Sequence, residues 1–234
     1  MKAPLLLTML AILPDIILAG VTYNEHHLLL DQNLSTADAE ASPYLFNQVQ
    51  EALAAINRLQ ATPSDTITLD IAPGVYWVDD PDDPAIRRVR SNSEGTPYGF
   101  RLKCPNLRIV GQSDNPEDVV LACNRGQTQG AIGNFTMFYI DAHNIEANNV
   151  TFGNYCSVDL VYPRDTTLNR PRRANAIVQA QLIHTNADFV DATNCRFISR
   201  LNLCPFSGVR RALFSDCHFE CTDDALEGAA IYQR

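Results

Sequence analysis

The hydrophobic pattern changes period once along the chain. In "SPYLFNQVQEALAAINRLQ" the apolar positions Phe46, Val49, Leu53, Ile56 and Leu59 recur at helical spacing, and Ser42 with Pro43 makes a helix start. Beyond Pro63 the period falls to two. Ile67, Leu69 and Ile71 alternate with polar neighbours before a turn at Pro73-Gly74. Short strand patterns then follow one another, "NAIVQAQLIH" among them. In that segment Ala176, Val178, Ala180 and Leu182 share one strand face, and Ile177, Gln179 and Gln181 share the other.

Three stretches align: "NNVTF" ending at Phe152, "TNCRF" ending at Phe197 and "SDCHF" ending at Phe219. The last two phenylalanines lie 22 residues apart and the first two 45 apart, about two such periods. A period near 22 with one strand pattern per repeat predicts a solenoid, an all-β parallel β-helix with a short N-terminal helix cap. A single coil cannot bury its own apolar face, so several must stack. Stacking would put Phe152, Phe197 and Phe219 in one internal aromatic column and Val150, Cys195 and Cys217 in an aliphatic one. Asn149, Asn194 and Asp216 would stand at a turn. The competing architecture is a β-sandwich with chance matches.

Composition narrows the partners. The chain of 234 residues has a net charge of −9 and no basic stripe, which excludes nucleic acid as an expected partner. The opening "MKAPLLLTMLAILPDIILAG" has Lys2, an apolar run over residues 5–13 and small residues Ala19 and Gly20. It reads as an export signal over residues 1–20, too short in its apolar run to span a membrane. A secreted or periplasmic location follows as an expectation. Residues 21–42 are polar and irregular and read as a leader or linker, with the β-helix over residues 43–234. Seven cysteines leave at least one unpaired, and most read as small buried hydrophobes. The five histidines show no ligand spacing, so no metal and no cofactor is expected. Tyr76 and Trp77 read as packing residues ahead of sugar-stacking ones.

The chain resembles the pectin methylesterase family of right-handed parallel β-helices from about Pro43 to Gly228. "FNQVQEALAAI" is similar to the family's opening helix, "IAPGVYWV" to its "PGxYxE" segment with Val78 in place of the acid, and "NLRIVGQSDNPEDVVL" to a later turn. The family's "QAVAL" Gln precedes a "CxF" cysteine by the 16 residues that separate Gln179 from Cys195 here. Its next cysteine precedes the Asp of "DFIFG" by the 7 residues that separate Cys217 from Asp224. "DALEG" thus overlays that motif, with Gly228 in the place of its Gly. The resemblance implies Asp224 as nucleophile and Gln179 as an oxyanion donor. It departs at "LNL": Asn202 stands where the acid/base Asp belongs and Leu201 where a second Gln belongs. The family's Arg-bearing "GRPW" segment has no counterpart, so an incomplete C-terminal side is expected.

This chemistry needs a carboxylate nucleophile, a proton for the leaving methanol and donors for the oxyanion. Asn202 transfers no proton, which leaves Asp223 or a water as substitute. The plainer reading keeps Asp223 and Asp224 as a solvated coil turn. Arg170, Arg172 and Arg173 in "NRPRRAN" offer a clamp for the carboxylates of an acidic polymer, or a solvated loop. The expected function is a secreted monomer that hydrolyses, or if inactive binds, methyl-esterified polygalacturonate. The alternatives are a polygalacturonase-type glycoside hydrolase, for which "TDDAL" resembles the paired-acid turn, and a noncatalytic polysaccharide-binding relative.

Overall fold

The computed structural model describes residues 15–59, 61–86, 90–91, 97–131, 133–223, 226 and 230–234. It is mostly β, in three main sheets whose pairings are nearly all parallel. The first sheet has eight strands in the order Ala230–Gln233, Ala212–Ser215, Phe189–Thr193, Asn144–Asn148, Asn106–Gly111, Thr66–Ile71, His27–Leu30 and Leu45–Phe46. The second runs His218–Glu220, Arg196–Ile198, Thr151–Asn154, Val119–Cys123 and Gly74–Asp79. The third runs Gln181–Thr185, Thr136–Asp141, Pro97–Lys103 and the short antiparallel Arg90–Ser91. The chain visits the third, first and second sheets in turn, then returns one strand further along: Thr136–Asp141, Asn144–Asn148 and Thr151–Asn154 are followed by Gln181–Thr185, Phe189–Thr193 and Arg196–Ile198.

Register makes columns of like residues. Leu69 pairs with Ile109, Ile109 with Ala147, Ala147 with Ala192 and Ala192 with Phe214, and all five side chains are buried. The predicted aromatic column is present: Phe152 and Phe197 stack at 5.6 Å and 8°, Phe197 and Phe219 at 5.3 Å and 12°, but the 45 residues from Phe152 to Phe197 make one coil with a long loop rather than two periods. Asn149, Asn194 and Asp216 all take left-handed φ, at 59°, 51° and 52°. Asn and Asp tolerate that conformation better than other residues with a side chain. Asn194 Nδ2 donates to Asn149 Oδ1 and to the Asp114 carbonyl, both at 2.8 Å. The neighbouring coil offers Gly111, because a Cβ there would stand 2.1 Å from the Asn149 carbonyl oxygen.

Two boundaries differ from the sequence reading. The helix is Val49–Arg58, burying Val49, Ala52, Leu53, Ala55 and Ile56, and it starts well after Ser42-Pro43. Phe46 instead belongs to a strand that pairs with Leu30, and the Tyr44 and Phe46 carbonyls accept from Leu29 and Asp31. Sheet pairing overrides the helical spacing of Phe46. Residues 21–42, read as leader or linker, contain His27–Leu30, a strand inside the first sheet with Leu28 and Leu30 fully buried. Its four-residue pattern is too short to show a period. Asp70 beside it is buried and accepts from His27 Nε2 at 2.9 Å and Tyr23 OH at 3.4 Å. Residues 1–14, most of the segment read as an export signal, lie outside the described residues. Ala19 and Gly20 form the tight turn, φ 48° and 84°, between Ile16–Leu18 and Val21–Tyr23.

Candidate functional site

At the corner where the second sheet gives way to the third, backbone hydrogen bonds run from coil to coil. Gln127 N–H donates to the Gln179 carbonyl at 2.8 Å, Ala180 N–H to the Leu201 carbonyl at 3.3 Å, and Asn202 N–H to the Asp223 carbonyl at 3.3 Å. Gln179, Asn202 and Asp223, separated by up to 44 positions in sequence, therefore occupy successive coils at one corner. Gln179 and Asn202 are half-buried and Asp223 is exposed. Asp224 and Gly228 lie outside the described residues. The Asp223 carbonyl also accepts from Cys221 Sγ at 2.8 Å. Asn202 has φ 53°, so the position favours Asn or Asp on conformational grounds alone.

The face assignment around Gln179 needs correction. The strand begins only at Gln181, and period-two alternation does not extend back to Ala176. Leu182 joins the main core, but Ala180 and Val178 pack in a separate cluster with Cys156 and Ala174, and Ala176 is exposed. Gln181 is buried, with its Oε1 3.1 Å from His184 Nε2. Ala174 N–H and Gln127 N–H bond to the Cys156 and Gln179 carbonyls, so this stretch follows loop contacts rather than a ladder.

The arginines predicted to clamp substrate are mostly engaged within the chain. Arg170 pairs with the buried Asp80 and lies 4.6 Å over the Trp77 ring. Arg173 Nη2 meets Asp82 Oδ1 at 3.0 Å. Arg172 is exposed and its Nε is 3.4 Å from Asn175 Oδ1. These pairs pin residues 155–173 across the outer face of the second sheet. Tyr155, Leu160 and Tyr162 cover Val75, Val120, Ala122 and Ile198, and Tyr162 OH donates to the Asp118 carbonyl at 2.9 Å. Gly153 makes room for this strap, since a Cβ there would stand 2.4 Å from the Tyr155 ring. The strap covers this face of the sheet, and the corner with the exposed Asp223 lies beside it.

Sequence reasoning missed the buried ion pair one coil before Gln179. Arg125 is 2% exposed and Asp79 0%; Nε meets Oδ2 at 2.6 Å and Nη2 meets Oδ1 at 3.0 Å. Arg125 also lies 5.7 Å over the Phe135 ring, and Asn154 Nδ2 donates to its carbonyl at 2.9 Å. Nothing in "DD" or "NR" signals a pairing across 46 positions. Burial pushes the neighbouring Cys123 thiol well up and holds the Cys156 thiol at about 11. A separate cleft of about 730 Å³, lined by Lys103, His143, Asn186, Asp188 and Arg210, lies at the corner between the third and first sheets and contains none of the predicted residues.

Among the described residues no group of three or more His, Cys, Asp or Glu side chains is placed to hold a metal ion, and no helix is long and apolar enough to cross a membrane. Fold and corner together define a β-rich protein of stacked parallel sheets with a polar edge. No family model, no curated protein and no solved structure matches the chain.

Proposed function

We propose that the chain is a right-handed parallel β-helix of pectin methylesterase type that acts on methyl-esterified polygalacturonate at the corner carrying Gln179, Asn202 and Asp223, with Asp224, the next residue in sequence, as nucleophile. One observation carries the reading: the backbone ladder from Gln127 through Gln179–Ala180 and Leu201–Asn202 to Asp223. It brings Gln179, Asn202 and Asp223 onto one edge, which supports a reaction shared by residues far apart in sequence. The Asp224 carboxylate attacks the ester carbonyl carbon, the Gln179 amide donates to the oxyanion, and methanol leaves with a proton from water because Asn202 has none to give. Water then cleaves the acyl-enzyme and frees both carboxylates. The same reading carries export, a monomer and an acidic polysaccharide partner. Asp80 and Asp82 already neutralise Arg170 and Arg173, so of the three only Arg172 remains for the polymer.

Methanol release from pectin tests this. Asp224→Ala is expected to abolish it and Asn202→Ala to change little. Asn202→Asp, which the left-handed backbone accepts, is expected to raise it by roughly 10²- to 10⁴-fold. Equal, mild effects of all three substitutions would remove the assignment of roles. A second reading, a noncatalytic pectin-binding protein, is favoured by Leu201 and Asn202 at the catalytic positions. Retention on pectin with no methanol from the wild type and none from Asn202→Asp would select it. Reducing ends released from demethylated polygalacturonate would select the glycoside hydrolase.

A further inference from the structure

Cys195 and Cys217 are register equivalents on successive coils. Each follows a left-handed residue, Asn194 or Asp216, and each precedes a column phenylalanine by two positions. The strand pairs Arg196–His218 and Phe197–Phe219 begin immediately after them, and His218 N–H donates to the Cys195 carbonyl at 2.9 Å. Adjacent parallel strands run about 4.8 Å apart, which falls within the roughly 4.4–6.8 Å over which a disulfide joins two Cα atoms. The sulfur of Cys217 leans toward the earlier coil, 3.3 Å from the Ala192 carbonyl oxygen. Cys195 is 1% exposed, whereas Cys217 is half-buried and reachable from solvent.

We infer that Cys195 and Cys217 form an oxidation site, a thiol pair that a small-molecule disulfide such as oxidised glutathione converts into a staple between two coils. The thiol of Cys195 holds the Cys217 thiol below the usual range, and the same interaction, with burial, pushes Cys195 well up. Cys217 is therefore the attacking thiolate. It bonds to one glutathione sulfur and expels the other half as a thiolate. Cys195 then gives up its proton, attacks the Cys217 sulfur and expels the second glutathione thiolate. The protein loses two protons and two electrons, and one oxidised glutathione becomes two reduced ones. The step is independent of any activity on pectin.

The reduced protein, incubated in glutathione redox buffer, quenched by alkylation, unfolded and mapped by mass spectrometry, tests this. The expected product is a Cys195–Cys217 cross-linked peptide and an intact mass lighter by two hydrogens. A thermal midpoint roughly 5–10 °C above that of Cys217→Ser is also expected in oxidising buffer, with the gap lost on reduction. Cys195→Ala should instead accumulate a glutathione adduct on Cys217. Recovery of both wild-type thiols free, of Cys217 as a stable glutathione adduct, or of Cys217 joined to Cys221 would overturn the inference.

Discussion

Phe197 shows how one side chain reports the repeat. Its ring stacks between Phe152 and Phe219 and meets Phe206 and Phe214 edge-on at 5.9 and 5.7 Å. Truncation leaves a cavity shared by three coils, which have no freedom to collapse because strand pairing fixes their spacing. Phe197→Ala is expected to cost about 3–5 kcal/mol in chemical denaturation, and the whole column should lose order together. Asn149 illustrates a second residue-scale point. It heads a sequon, but its left-handed backbone, its bond from Asn194 and the burial of Thr151 explain it as a turn residue. The same local rule explains Asn202, whose place in the corner depends on its φ as well as on its side chain.

At the scale of elements, the strap of residues 155–173 is the unit with the clearest consequence. It carries little regular structure, one short 3₁₀ turn at Thr166–Leu168, and is held by side chains. Arg164 pairs with Asp118 at 2.9 Å, Arg170 with Asp80 and Arg173 with Asp82. Asp80 has 4% of its side chain exposed, so removing Arg170 leaves a carboxylate buried without its cation. Arg170→Ala is expected to cost about 3–5 kcal/mol and to open the strap to limited proteolysis within residues 157–173, while the strands of the first sheet stay protected. Cleavage no faster than in the wild type would show that apolar cover alone holds the strap. The strand His27–Leu30 is the second instructive element, since its place between Thr66–Ile71 and Leu45–Phe46 makes structure of a segment whose own pattern shows none.

For the whole molecule, the Arg125–Asp79 pair ties the strand Gly74–Asp79 to the corner leading toward Gln179. A buried pair of this kind is weak evidence of net stabilisation, but breaking it is costly because the surviving buried charge loses its counter-ion. Arg125→Met is expected to lower stability by about 3–5 kcal/mol, and Asp79→Ala by a similar amount. The double substitution is expected to cost less than the sum of the two, measured as a double-mutant cycle on unfolding midpoints. An additive result would mean that the two charges act separately. The three columns, the strap and the corner share one frame, so destabilising any coil should also shift the geometry at Asn202 and Asp223.

The amino-acid sequence alone determined what repeats locally. The pentads placed the aromatic column, the left-handed turn column and the Val150, Cys195 and Cys217 positions between them, because equivalent residues stack at one strand spacing whether the coil between them is 45 residues long, as from Phe152 to Phe197, or 22, as from Phe197 to Phe219. It also placed the alternation of Ile67, Leu69 and Ile71, all buried. Tertiary structure decided everything that joins unlike segments: the strand drawn from residues 21–42, the end of alternation at Gln181, the arginines turned onto Asp80 and Asp82, and the pair between Asp79 and Arg125. The ion pairs among them span between 46 and 91 positions and depend on which loop lies over which sheet face. Local spacing holds no record of that. Only the stacked coils bring Gln179, Asn202 and Asp223 to one edge.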